Sequence, residues 1–146
     1  MSENKIWYSY ENLISGPLSR DILYINKDNF NQFQSLVEET IDTFNEHVEY
    51  PEMWNLEDAK FRLKNNQSLF IGYDRQGALA HVWFDKDYLY NCFVNPRRPE
   101  GYGVTFITKC LQSVPHRKIR LYCDEWNIRA QKFFEKVGFK KTISYI

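Results

Sequence analysis

Residues Val94 to Val114, VNPRRPEGYGVTFITKCLQSV, decide how the rest of this chain is read. Ahead of them Tyr88 to Val94 is an aromatic and β-branched run that stops at Asn95-Pro96, which predicts a strand. Behind the two glycines, Val104, Ile107, Leu111 and Val114 recur at spacings of three and four, which predicts a helix. The segment is therefore a strand, a short basic loop and a helix. The first N–H groups of a helix have no partner within it, and the dipole there favours negative charge, so such a loop is shaped to hold an anion. Gly101 and Gly103 allow main chain to approach that anion closely. The dinucleotide fingerprint is excluded because no third glycine follows. The nucleoside-triphosphate loop is excluded because no Gly-Lys-Ser/Thr follows the second.

What remains, Arg98-x-x-Gly101-x-Gly103 behind a strand ending Val-x-Pro, resembles the acetyl-coenzyme A loop of the Gcn5-related N-acetyltransferase (GNAT) family. About two dozen residues downstream, Asn127-x-x-Ala130-x-x-Phe133-Phe134-Glu135-Lys136-x-Gly138-Phe139 is similar to a second segment of that family, in the same order and at a comparable distance. The resemblance is specific over Tyr88 to Phe139 and topological before it. It implies a mixed α/β fold whose mostly antiparallel central sheet of six or seven strands is flanked by about four helices. It also implies acetyl-coenzyme A as cofactor and an amine as acceptor, either a small molecule or a protein lysine or N-terminus.

By that resemblance the N–H groups of Gly101, Tyr102, Gly103 and Val104 hold the pyrophosphate and Arg98 adds charge. The main chain of Phe93 and Val94 hydrogen-bonds the pantetheine arm and supplies donors to the thioester oxygen. Asn127 reaches toward that arm, although a plain helix cap is an equally economical role for it. Three departures bear on catalysis. The position that carries the family's proton-donating tyrosine is Phe134, which has no proton to give. The positions where members often carry a glutamate base are Tyr88 and Tyr90, with Asp87 and Asp124 as nearby alternatives acting through water; Tyr90 and Asp124 are the candidate catalytic side chains. Pro99 removes one N–H from the loop, and Glu100 brings a carboxylate toward the expected phosphates.

These departures leave room for a protein that binds coenzyme A, or a protein partner, without turning over. A covalent route through Cys92 or Cys123 lacks a histidine partner in sequence. The basic run His116-Arg-Lys-Ile-Arg120 reads as a solvated strand edge, or as a contact to the cofactor's 3′-phosphate, before it reads as a nucleic-acid site.

Composition sets the frame. At 146 residues the chain is read as one domain, 1–146, able to bury roughly two thirds of its unfolded surface. Its 19 basic and 19 acidic residues cancel, so no global field draws it to nucleic acid or an anionic membrane, and any anion site has to be local. Three cysteines without ligand spacing argue for reduced thiols and a cytoplasmic setting, and neither a membrane span nor a signal-peptide pattern is apparent.

In chain order, 1–17 reads as an aromatic N-terminal arm packed on the domain and Arg20–Asn26 as the first strand. A helix capped by Asp28 follows, with Phe30, Phe33, Val37, Ile41 and Phe44 on one face, and ends before Pro51. Asn55 and Asp58 cap a short second helix. Three antiparallel strands then run to Val94, where His81 reads as structural. After the loop helix come a strand at Ile119–Asp124, a helix ended by Gly138 and a last strand, Phe139–Ile146. The family has two strands at that end. The place of the second is left to a short sheet, to the N-terminal arm, or to an edge lent by a second subunit in a homodimer.

Overall fold

Three β-rich runs separated by two-residue turns form an antiparallel meander in the computed structural model, which describes residues 5–13, 15–48 and 53–142. These are β3 (Ser68–Asp74), β4 (Gly77–Asp85) and β5 (Tyr88–Val94). β4 is buried from Ala78 to Phe84 on both faces, as befits a central strand. With β1 (Lys5–Glu11), β2 (Ile22–Ile25), β6 (Lys118–Asp124) and β7 (Lys140–Lys141) the sheet has seven strands in the order β2-β3-β4-β5-β6-β1-β7. Among the described residues only β5 and β6 run parallel.

One face carries α3 (Tyr102–Ser113) and α4 (Ile128–Val137), whose Phe106, Ile107, Leu111 and Phe134 pack on Val82, Phe84 and Leu121. The other carries α1 (Gln34–Asn45) and α2 (Leu56–Lys64), whose Val37, Phe44 and Leu63 pack on Leu69, Ile71 and Trp83. The α2 start is as the sequence predicts: Asn55 Oδ1 accepts from the Asp58 N–H at 2.9 Å, and the Asp58 carboxylate accepts from the Asn55 N–H at 2.8 Å. Gly138, at φ 123°, ends α4 where a side chain would be strained.

Asp28 does not cap the first helix. Asn26 and Asn29 close the turn instead: Asn26 Oδ1 accepts from the N–H of Asp28 and of Asn29, and Asn29 Oδ1 accepts from the N–H of Asn26. The chain then enters α1 through a 3₁₀ turn at Phe30–Phe33. Pro51, Met1 to Asn4, Ile14 and residues 143–146 lie outside the described residues, so the last strand is described only at Lys140–Lys141.

The larger correction concerns the N-terminal arm, which is an inner strand of the sheet. β1 pairs antiparallel with β6 from Lys5↔Asp124 to Glu11↔Lys118 and with β7 on its other side. Tyr8 is only 1% exposed, and its hydroxyl donates to Glu135 Oε2 at 2.7 Å. The arm thus fills the place that the sequence leaves open between the last strands.

Two irregularities open the sheet. β5 and β6 are bridged at Tyr88↔Arg120, with Arg120 N–H donating to the Asp87 carbonyl at 2.9 Å, and no further bridge joins them among the described residues. Between the pairs His81↔Phe93 and Trp83↔Tyr90, β5 spends one residue more than β4, and Asn91 sits there at φ 52°. Such a bulge bends and twists its strand, and asparagine tolerates the left-handed conformation better than most residues.

Candidate active site

Beyond the Tyr88↔Arg120 bridge, the end of β5, the loop and start of α3, and α4 border a cleft of about 710 Å³. Its walls include Phe93, Val94, Arg98, Gly101, Gly103 and Val104 from the strand–loop–helix segment, and Asn127 and Phe134 from the second. The two sequence segments, distant in the chain, therefore meet across one opening. Gly103 is where they come closest: a Cβ there would lie 3.0 Å from Phe133 Cε1 and 3.3 Å from Val94 Cγ2. Gly101 takes φ 78° and a Cβ on it would meet nothing within 4 Å.

The loop is held by its own chain. Arg97 Nη1 and Nη2 each donate to the Asp74 carboxylate at 2.9 Å, and Nη2 also reaches the carbonyls of Gly77 and Ala78 at 3.2 Å. The Arg97 hydrogen bond holds the Asp74 carboxyl below its usual range. Arg97 is thus spent on tying the loop to the β3–β4 turn, while Arg98 from the loop and Arg129 from α4 border the cleft. Tyr102 differs from the expectation. Its N–H donates to the Pro99 carbonyl at 3.1 Å, and its ring stacks on Phe106 beneath Gly72, away from the opening. After Tyr102 the next helical amide with a carbonyl partner is that of Thr105, to Gly101 at 3.3 Å, and the N–H groups of Gly101, Gly103 and Val104 have none among the described residues. Glu100 is exposed and forms no part of the wall.

Asn127 acts as a cap: its Oδ1 accepts from the Ala130 N–H at 3.1 Å while the residue also borders the cleft. Cys92 borders the cleft too, but burial pushes its thiol up to about 12, which keeps it protonated and without nucleophilic character near neutral pH. Tyr90 does not enter the cleft. Its hydroxyl donates to Gln67 Oε1, the Arg62 guanidinium stands 5.4 Å over its ring, and burial pushes the phenol up to about 12. Asp124 stands at the end of β6, paired with Lys5 at 2.5 Å. Among the described residues no group of His, Cys, Asp and Glu side chains is placed to hold a metal ion.

His47, near the end of the first helical segment, carries no signal in the sequence that would tie it to the loop. The residue is exposed, yet it borders the cleft, with its ring 5.6 Å from that of Phe93. Its Nδ1 lies 2.8 Å from the Thr43 carbonyl. A carbonyl accepts only, so Nδ1 carries a proton, and in the neutral ring the lone pair lies on Nε2.

Residues 33–139 match the profile described as the acetyltransferase (GNAT) family. The chain belongs to that family. Among curated proteins none matches. Among solved structures, a GNAT-family acetyltransferase from Colwellia psychrerythraea is similar at TM-score 0.62 and 17% identity, over 98% of this chain and 54% of that one. An aminoglycoside acetyltransferase from an uncultured soil metagenomic sample, solved with trehalose, is similar at TM-score 0.57 and 14% identity, over 86% of this chain and 92% of that one. A protein of functionally unknown role from Staphylococcus epidermidis is similar at TM-score 0.59 and 14% identity over 96% of this chain, which spans 58% of that one. At these identities the likeness is one of fold. This GNAT chain spans little more than half the length of two of the three.

Within the GNAT fold seen here, the bulge beside the cleft is anchored from behind. His81, fully buried on β4, has Nδ1 2.8 Å from Thr40 Oγ1 on α1 and Nε2 3.0 Å from Asn91 Oδ1 in the bulge. With the Asn91 oxygen accepting, Nε2 donates and Nδ1 accepts from the threonine hydroxyl. Burial lowers the His81 pKa to about 4, with Arg62 acting in the same direction against the Asn91 bond. A histidine whose folded pKa lies below its unfolded value of about 6.5 contributes stability that is present above about 6.5 and is lost as pH falls toward 4. We expect the melting temperature to drop through that window. Full loss corresponds to roughly 3 kcal/mol at 1.36 kcal/mol per pKa unit. His81→Gln should start lower and lose less between pH 6.5 and 4 in the same melts; an equal drop in the variant would remove His81 as the cause.

Proposed function

We propose that the chain is an acetyl-coenzyme A-dependent N-acetyltransferase domain that transfers acetyl to a primary amine by direct attack in a ternary complex. The observation that carries this reading is the glycine cradle at Gly103, where the absence of one Cβ lets the start of α3 sit against Phe133 of α4 and Val94 of β5 beside free helix-start amides. Those amides and Arg98 form a donor set suited to a pyrophosphate. The free edge of β5 at Phe93 and Val94, turned toward the gap, suits an amide-bearing arm lying as a substitute strand and offers N–H donors to an acyl oxygen. Bound acetyl-coenzyme A would supply the activated acyl group as a thioester. A solved relative from Clostridium acetobutylicum, described as a predicted acetyltransferase, is in complex with acetyl-CoA; it is 14% identical with TM-score 0.51, over 86% of this chain and 92% of that one.

The amine must lose a proton before it attacks. His47 Nε2 is the side-chain lone pair best placed on the cleft wall to take it, a role that Tyr90 cannot fill. The departing thiolate has no phenol to draw on, since Phe134 is 8% exposed on the wall with its ring edge-on to Phe133 and Phe139. This favours a second reading, a domain that binds coenzyme A without turnover. Thiol release from acetyl-coenzyme A over a panel of amines separates the two. Phe134→Tyr should raise kcat about tenfold or more with little change in KM, given that a general acid contributes roughly 10²–10⁴. Stabilisation by coenzyme A with no thiol release, in the wild type and in Phe134→Tyr alike, would leave the binding-only reading.

A further inference from the structure

At the far end of α3 from the Arg98–Gly103 loop, a second cavity of about 510 Å³ opens at the edge of the sheet. It shares no lining residue with the cleft, and its volume falls in the range of small-molecule sites, roughly 300–1,000 Å³. Its floor is aromatic. The Phe70 ring lies 5.1 Å from that of Tyr24 and 5.5 Å from that of Phe84; both phenylalanines are buried, while Tyr24 stays 40% exposed. Leu18, Val114 and Pro115, from the segments before β2 and after α3, extend the apolar lining.

Around this floor the acceptors are spent and the donors are not. At the end of α3 the Cys110 carbonyl accepts from Ser113 Oγ at 2.8 Å, that of Leu111 from Asn12 Nδ2 at 2.6 Å and that of Gln112 from the Gly16 N–H at 3.0 Å. No Asp or Glu is among the lining residues. Asn66, by contrast, has its Oδ1 engaged by Lys27 Nζ at 3.0 Å, which leaves its Nδ2 hydrogens unspent among the described residues. The Tyr24 and Ser68 hydroxyls share one hydrogen bond at 3.0 Å, so one of the two protons stays free. The side chains of Lys86 and His116, which also line the cavity, make no hydrogen bond or ion pair among the described residues. Lys86 is moreover an unusual turn residue. It holds φ 55° between β4 and β5, where asparagine or glycine is the ordinary choice, so turn chemistry does not account for its ammonium.

Unspent donors above aromatic rings suit a ligand that brings an acceptor, best a negative one, on an aromatic body. We infer that this cavity is a binding site for an arylalkyl carboxylate, its carboxylate held by Lys86 and His116 and its ring by Tyr24, Phe70 and Phe84. His116 belongs to the basic run that the sequence offers to a 3′-phosphate, and its place outside the cleft lining gives it a different anion. The site stands whether or not the cleft transfers acetyl.

Backbone amide NMR of the whole chain during titration with hydrocinnamate tests it. Saturable shifts are expected around Gly16, Ser113 and His116, and they should be unchanged in excess coenzyme A. The neutral isostere hydrocinnamyl alcohol should bind about fivefold more weakly, the size of a charge-assisted hydrogen bond on a partly exposed group. Lys86→Asn suits the left-handed turn and so spares the fold; it should remove most of that preference, while Lys86→Arg should keep it. No saturable binding of the acid, equal affinity for acid and alcohol, an unaltered preference in Lys86→Asn, or displacement of the acid by coenzyme A would overturn the site. The same samples keep the two claims apart. If coenzyme A shifts Gly101, Gly103 and Val104 while hydrocinnamate shifts nothing, this site alone falls. If hydrocinnamate binding follows Lys86 while those three amides ignore coenzyme A, the cofactor reading alone falls.

Discussion

Replacing Gly103 with glutamate is expected to abolish the stabilisation of the protein by acetyl-coenzyme A. At that position even a methyl group would press on Phe133 at 3.0 Å and on Val94 at 3.3 Å, so a longer chain can only project into the opening between them. The carboxylate would then stand where linked phosphates are proposed to lie. In a partly desolvated cleft such repulsion amounts to several kcal/mol, a loss of more than about a hundredfold in affinity. A ligand at about 100 times its Kd raises unfolding free energy by about 2.7 kcal/mol, and this increment should vanish from the melting curve. Gly103→Ala, which asks the Phe133 ring to yield by only a few tenths of an ångström, should retain the cooperative melt with weakened binding. Undiminished binding by Gly103→Glu would mean that the cofactor lies elsewhere.

Deleting residues 1–12 should have the largest effect on folding itself. An arm laid on the surface would leave the core intact when removed. β1, by contrast, occupies the middle of the sheet's second half, with register pairs from Lys5↔Asp124 to Glu11↔Lys118. Its loss would bare the edge of β6 and the apolar Ile119, Leu121 and Phe139, which share a core with Tyr8. It would also remove Asn12, whose Nδ2 donates to the Leu111 carbonyl at 2.6 Å near the end of α3. Tyr8 alone, if cut to alanine, should cost about 3–5 kcal/mol, the range of large aromatic truncations in cores. We therefore expect the deletion to lose its cooperative thermal transition, and a melt lowered by only a few degrees would contradict the inner-strand account.

What was legible in the sequence is what depends on near neighbours. The capping pair Asn55 and Asp58, the bounds of β5 and the helix end at Gly138 are set by residues three or four apart, and each is found as read. The loop was legible in the same way, down to Arg98 on the cleft wall, because a glycine pair and a basic side chain beside a helix start carry their chemistry locally. β1 was not. KIWYSYE alternates only weakly, and nothing in it names a partner strand more than a hundred residues away. The first helix was misread at its start because Asn26 and Asn29 bond each other's backbone, which leaves Asp28 nothing to cap.

Tyr90 lies off the cleft for a related reason. Tyr90 precedes the bulge and shares the face of Trp83 and Arg62, and the extra residue at Asn91 resets side-chain parity for the rest of the strand. A single left-handed asparagine, held from behind by His81 and Thr40, decides which β5 residues meet the cleft. His47 and the Lys5–Asp124 pair are likewise products of tertiary placement, the latter joining residues 119 positions apart.

The central claim is that helix-start amides beside Gly103 grip the phosphates of coenzyme A. Backbone amide NMR during a coenzyme A titration tests it most directly. The account predicts large, saturable shifts at Gly101, Gly103 and Val104, with a smaller one at Tyr102, whose N–H is already given to Pro99. Saturation with those three amides unmoved, or with the shifts gathered around Gly16, Ser113 and His116 on a separate pocket, would contradict it.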